Sequence, residues 1–516
     1  MLDFNIKNMK KQTKLILYSF AAILLTASAC RDSFLEVKPR GTDLEANYYR
    51  NREEAFNGLV AIYDVIGWQG GGYVTKINAL NAASDDHHAG GGGPNDISDL
   101  QVISNYTLTP AQGPQEELWR KGFSGIFRAN ILLEKLPEVP MAEDEKARFT
   151  AEAKFLRAYF YFDLVRLFKN IPLFTVPVAA DAMYDITQVP AADIYAQMEQ
   201  DIMDAIPSLP NTVPVATEGG RATAGAARAL LGKIYLQQEK FGPAAEQLAQ
   251  VNGEPGSTSQ FGYRLVDNFG MLFDVENKFN SESILEISFT NTSVGDWGCV
   301  SCTEGNLINI MVGPRNYNPS SSSAPDYVSG WSFLVLTTNL FDAIHFDPRN
   351  AYTVANLDSL EQNGIATYEK GHMNTGYFLE KFAAREKDRW TGAGSSELNY
   401  PQNMYEIRLA DTYLLEAEAI VRGGGNMSRA ASLLNAVRNR VGLGPVAATL
   451  DNIKKERRLE LVGEGHRWFD LVRWGDASSA LQFKGFVPGK HEILPIPLLE
   501  LENTKLEQSV EWGGTK

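Results

Sequence analysis

The chain has 516 residues, with 63 acidic against 48 basic side chains and a net charge of −15. That excess of negative charge argues against nucleic acid and anionic membrane surfaces as partners, because both would repel it. A hydrophobic content of 44% with 22% charged residues describes a globular chain, long enough to bury a large core.

Lys10, Lys11 and Lys14 precede an apolar run from Leu15 to Leu25, and Ala27-Ser28-Ala29 leads into Cys30. This basic, apolar, small order reads as a secretory signal over residues 1–29 with lipid attachment at Cys30, and the run is too short to span a bilayer. Met9 is a more usual start for such a signal than Met1. Residues 30–44 then form a lipidated tether, and 45–516 one domain. No later apolar stretch is long enough to cross a membrane.

Helical spacing predicts a first helix over 51–66, with Phe56, Leu59, Val60 and Tyr63 on one face. A glycine-rich loop follows over 67–99, then helices over 115–136 and 144–169. The third holds Tyr159, Phe160, Tyr161 and Phe162 in succession. Consecutive aromatics point all round a helix axis, so this is a helix packed on several sides rather than a ligand stripe. Pro172 ends it, and an extended linker runs to Pro190. After a helix over 191–206, the stretch 227–250 reads as a helix-turn-helix close to a tetratricopeptide unit. A similar pair recurs over 405–421 and 428–441, with Tyr405, Leu409, Tyr413 and Ala417 stacked at intervals of four.

Between these blocks, residues 251–403 are rich in Gly, Ser, Asn and Pro and sustain no helical period. The last helix is expected over 456–475, capped from Asp451. Its charges Glu464, Arg467, Asp470 and Arg473 are three apart, a ladder on a solvated face. The expected fold is mainly α: a right-handed stack of helix pairs over 45–250 and 404–475, an irregular lobe over 251–403 inserted in it, and an extended tail over 476–516.

The catalytic motifs G-x-S-x-G, the P-loop and H-E-x-x-H are absent. His87 and His88 follow Asp85-Asp86, but adjacent residues rarely converge on one ion, so no metal and no cofactor are expected. Cys299 and Cys302 are too few for a zinc site. In an exported chain a local disulfide is favoured over a redox role.

Several stretches resemble the SusD/RagB family of surface lipoproteins. They are Cys30 to Pro39, Trp119 to Leu136 with Arg128-Ala129-Asn130, Glu152 to Tyr159 running on to Asn170-Ile171-Pro172-Leu173, Phe346-Asp347-Pro348-Arg349, Arg408 to Ala417, Glu456 to Gly475, and Leu494-Pro495-Ile496-Pro497. The resemblance implies a tetratricopeptide-like scaffold without catalysis, on the cell surface at the outer membrane. It also implies a partner, a SusC-like TonB-dependent transporter over which the lipoprotein closes as a lid. Ligands in the family are mostly oligosaccharides, with some peptides, and are held by the loop after the first helix and by the irregular region.

Sugar capture needs exposed aromatic rings for the apolar face of a pyranose and polar side chains for its hydroxyls. The 67–99 loop offers Trp68, Tyr73, Asn81, Asp85, Asp86 and His87. The irregular region offers Trp297, Arg315, Asn316, Tyr317, Tyr327 and Trp331, and further on Arg385 and Trp390. The reading is a non-catalytic glycan-binding lipoprotein. The alternatives are a peptide-binding relative on the same scaffold and a surface hydrolase of unrecognised type.

Overall fold

A computed structural model describes residues 48–68, 72–179, 181–292 and 294–515. The signal, the tether and Cys30 lie outside the described residues. The frame begins with α1 (Arg52–Gly67), whose Asn51 side chain accepts from Glu54 N at 3.0 Å and so satisfies a first-turn donor. Next come α2 (Lys76–Ala83), α3 (Ser98–Ser104), α4 (Gln115–Lys135), α5 (Glu143–Phe168) and α6 (Ala191–Ala205). The hairpin α7 (Ala224–Gln237) and α8 (Phe241–Asn252) completes the first half.

Neighbouring helices pack in sequence order, α4 on α5, α5 on α6 and α7 on α8. Glycines set the closest crossings. A Cβ on Gly125 of α4 would lie 2.2 Å from the Phe160 ring of α5, and one on Gly232 of α7 2.6 Å from Leu248. All four consecutive aromatics of α5 are buried. The chain returns to the frame with α9 (Leu409–Gly423) and α10 (Met427–Arg440). Although the whole lobe intervenes in sequence, α9 packs on α8, with Leu415 and Ala419 set against Leu236, Ala244 and Leu248. Residues 51–516 form one compact unit.

Among the described residues of the lobe, no helix is longer than seven residues. Its strands are β1 (Ser283–Ile287), β2 (Arg315–Pro319), β3 (Val354–Asn356), β4 (Ala366–Glu369), β5 (Tyr377–Leu379) and, at the return, β6 (Met404–Arg408). They pair antiparallel as β1–β6, β2–β4 and β3–β5. Tyr405 therefore lies in a strand paired with Glu286, and not at the start of a helix as its spacing suggests.

The 67–99 stretch is not all loop either, since α2 occupies its middle with Thr75 as cap. Residues 476–516 carry short helices at Ala477–Ala480 and Leu498–Asn503, and so are not extended throughout.

The closing stretch departs most from expectation. It forms two helices, α11 (Leu450–Glu460), capped by Thr449 rather than Asp451, and α12 (Arg467–Trp474). Gly463 and Gly465, at φ 78° and 79°, turn the chain between them. The charge ladder is not solvated: Glu464 and Asp470 are each 6% exposed. Arg408 donates to Glu282, Glu460 and Glu464. Arg349 reaches Asp347, Glu456 and Glu460, and Arg457 bridges Asp411 and Asp470. Lys381 of the lobe closes the network on Glu464 at 2.8 Å. Burial pushes the Glu464 carboxyl up, but Arg408 and Lys381 outweigh it and hold the pKa at about 2. Asp347 and Arg349, Arg408 and Asp411, and Glu456 to Asp470 thus meet in one buried ionic core that joins lobe to frame.

Candidate functional site

Where the lobe meets the turn after α1, three rings stand in a row. The Trp331 ring lies 6.1 Å from Tyr73 on one side and 5.9 Å from Trp297 on the other, at interplanar angles of 50° and 38°. Trp297 is 46% exposed and Tyr73 37% exposed, and Trp331 between them is half-buried. Chain segments far apart in sequence supply them: the turn after α1, the start of the lobe, and the segment 330–336.

The backbone behind Trp331 is tightly specified. Gly330 lies against Gly313, and a Cβ on Gly330 would be 2.5 Å from the Gly313 Cα and from the Ile310 carbonyl oxygen. Gly330 N donates to Pro314 O and Ser332 N to Gly313 O. Ser332 and Leu334 hold φ of 58° and 53°, sparsely populated for side-chain-bearing residues. The segment 333–336 forms bridges to His87 and Gly90.

Those bridges explain where Asn81, Asp85, Asp86 and His87 lie. All four are buried, and none faces the row of rings. His87 Nδ1 is 2.8 Å from Leu334 O, and Thr337 bonds the carbonyls of both Asp85 and Asp86. Arg467 of α12 grips Asp85 with two bonds of 2.8 Å, and Arg458 of α11 holds Asp86. Asn81 donates to Gly463 O and accepts from Gly465 N. These residues, expected as ligand contacts, form the footing of the segment that carries Trp331. Their charge pairs with the closing helices.

Other expected residues also make internal contacts. Tyr317 and Tyr327 are buried in the lobe's own core, with rings 5.4 Å apart. Arg385 stacks on Tyr327 and pairs with Glu380 and Asp326. The Trp390 indole N–H donates to Ala393 O, which folds the ring back on its own loop. Trp68 lies between the guanidinium groups of Arg120 and Arg128, outside the row.

Arg315 and Asn316 open β2, which is tied to the Trp331 segment through Ser332. Arg315 N donates to Ser332 Oγ, and its guanidinium bonds Asp96, which also accepts from Gly92 N. Asn316 donates to Glu369 at the exposed edge of β2–β4. Cys299 and Cys302 are bridged, two residues beyond Trp297.

Sequence reading missed Lys121 and Gly330. Lys121 of α4 is buried and donates to Trp68 O and Val74 O, which ties both sides of the turn that bears Tyr73. Burial pushes its pKa down to about 8. A lysine three residues after Leu118, on the apolar face of α4, was the signal for it. Next to this turn a cleft of about 1080 Å³ opens between α1, α4 and β1, with Phe56, Val60, Tyr63, Trp68, Tyr73 and Lys121 among its walls. Val60, on one face of α1 with Phe56 and Tyr63, is exposed here. Among the described residues no group of three or more His, Cys, Asp or Glu is placed to hold a metal ion.

The profile of the SusD family matches residues 350–492, and a second profile, described as starch-binding and associating with the outer membrane, matches residues 34–236. A solved laminarin-binding SusD-like protein is 50% identical, superposes with a TM-score of 0.87, and covers 89% of this chain and 99% of its own. The chain belongs to the SusD family. Among other SusD-like relatives, protein P25 of Formosa agariphila is 25% identical over 95% of this chain and 97% of its own. Surface glycan-binding protein A of Bacteroides thetaiotaomicron, solved with laminarihexaose, is 26% identical with a TM-score of 0.78, covering 88% of this chain and 97% of that one. The SusD family places this chain at the outer membrane and accounts for its helical frame.

Proposed function

We propose that this protein is a non-catalytic surface lipoprotein that captures oligosaccharides and passes them to a SusC-like TonB-dependent transporter. The row Tyr73–Trp331–Trp297 carries the proposal. Rings spaced by about the length of a hexose unit and held at moderate angles suit successive pyranose faces of a curved chain, while a peptide would need hydrogen-bonding edges that this row lacks. Arg315 and Asn316 of β2 supply polar contact. Binding rather than bond cleavage fits a site whose nearest named carboxylates are engaged, Asp96 by Arg315 and Glu369 by Asn316. The 50% identical relative and the laminarihexaose complex favour a laminarin-type glucan as ligand. Lipid on Cys30 would tether the protein to the membrane.

Calorimetry against laminarin, starch-type oligosaccharides and a peptide panel tests the reading. Heat with laminarin and no shortening of the chain is expected. Heat with peptides alone, or release of shorter sugars, contradicts it.

A further inference from the structure

Trp297 stands on an excursion over 296–302 that is fixed firmly at its base. A Cβ on Gly295 would lie 2.6 Å from Thr303 Oγ1, so the two ends of the excursion touch. Gly295 O accepts from Ser395 N at 2.9 Å and from Asn399 Nδ2 at 3.0 Å, and Thr303 Oγ1 donates to Leu398 O. The base is therefore held by the 395–399 segment. Beyond the base, Trp297 N donates to Asp296 Oδ1 and Cys299 N to Asp296 O; a 3-10 turn at Val300–Cys302 follows, with Cys302 N donating to Cys299 O and Thr303 N to Val300 O. The Cys299–Cys302 bridge is the covalent tie within this tip.

A bridge across so few residues closes a short loop and contributes less to the stability of a large fold than a long-range one. Its effect is local, and its neighbour is the outermost ring of the row. We propose that the Cys299–Cys302 disulfide is a positioning device for Trp297, which holds its indole beside Trp331 and makes glycan capture sensitive to redox state. The proposal rests on the glycan reading. A dithiol reductant would convert the bridge to two thiols and itself become a cyclic disulfide. The excursion would then sample conformations in which Trp297 no longer stands 5.9 Å from Trp331.

The experiment is a thermodynamic cycle on the full-length protein, read as the dissociation constant for laminarihexaose. Trp297→Ala and the double variant C299S/C302S are each expected to weaken binding about three- to tenfold. Combined, they are expected to be no weaker than Trp297→Ala alone, because the bridge acts through that ring. Wild-type protein treated with dithiothreitol, with two free thiols counted, should match the serine variant and recover on reoxidation, which guards against a folding defect in the variant. Unchanged affinity after reduction overturns the proposal, and so does an additive loss in the combined variant. Absence of binding by the oxidised wild type to any glycan would instead overturn the glycan reading itself.

Discussion

Trp331 is the middle of three rings and the one both neighbours touch. Its truncation should remove stacking from two adjacent subsites at once. Trp331→Ala is expected to weaken laminarihexaose binding on the order of tenfold to a hundredfold while leaving the melting temperature within a few degrees, as titration calorimetry and thermal melts will show. Gly330→Ala should damage the same site through the backbone, because a methyl there meets Gly313 and the Ile310 carbonyl. His87 gives the residue scale a pH signature. Burial, opposed by its bond to Leu334 O, holds the imidazole at about 4 against an ordinary 6.5. The unfolded chain therefore takes up a proton that the folded chain refuses. The contribution is fully present above about pH 6.5 and is lost as pH falls toward 4, with about 2 kcal/mol gone between pH 7 and pH 5. Denaturant titrations at the two pH values should show this loss in the wild type. His87→Asn should show a slope shallower by about that amount, and an unchanged slope would contradict the assignment.

At the scale of elements, the ionic core between lobe and frame has the most to lose. Arg408 sits on β6, is fully buried, and is shared by Glu282, Glu460 and Glu464. Removing one partner leaves buried charge uncompensated, so Arg408→Met should cost about 3–5 kcal/mol in denaturant unfolding. A loss under 1 kcal/mol would mean that the network does not join lobe to frame. The same elements show what a single sequence can and cannot reveal. The helices α1, α4 and α8 were legible because each buries a stripe whose period is written locally, and α5 and α7 because apolar residues run nearly all round their axes. The break at Gly463 and Gly465 was not, since an apolar period of 3.6 runs straight through it. Tyr405 fits a helical spacing, but its partner Glu286 lies in another part of the chain and imposes a strand. Asp85 and Asp86 looked like ligand residues because charge in a glycine-rich loop suggests exposure. Their partners Arg467 and Arg458 lie 382 and 372 positions away, beyond any local pattern. Aromatic content in loops located Tyr73, Trp297 and Trp331 but could not separate them from Tyr317, Tyr327 and Trp390, which differ only in what packs around them.

The molecule as a whole divides labour between a helical frame and the excursions set on it. The frame buries most of its aromatics, while the rings set in a row come from connecting segments, as expected where loops on a rigid scaffold bind. Attachment belongs to this scale as well. Cys30→Ala should abolish incorporation of labelled lipid and release the protein from the outer membrane, and unchanged labelling would show that another residue is lipidated. The central claim is that glycan is held on Tyr73, Trp331 and Trp297 and nowhere among the helical hairpins. Its most direct test is a crystal structure of the protein with laminarihexaose. Sugar rings lying on those three side chains are the predicted result, and a ligand seated between helices with the three rings bare would contradict the account.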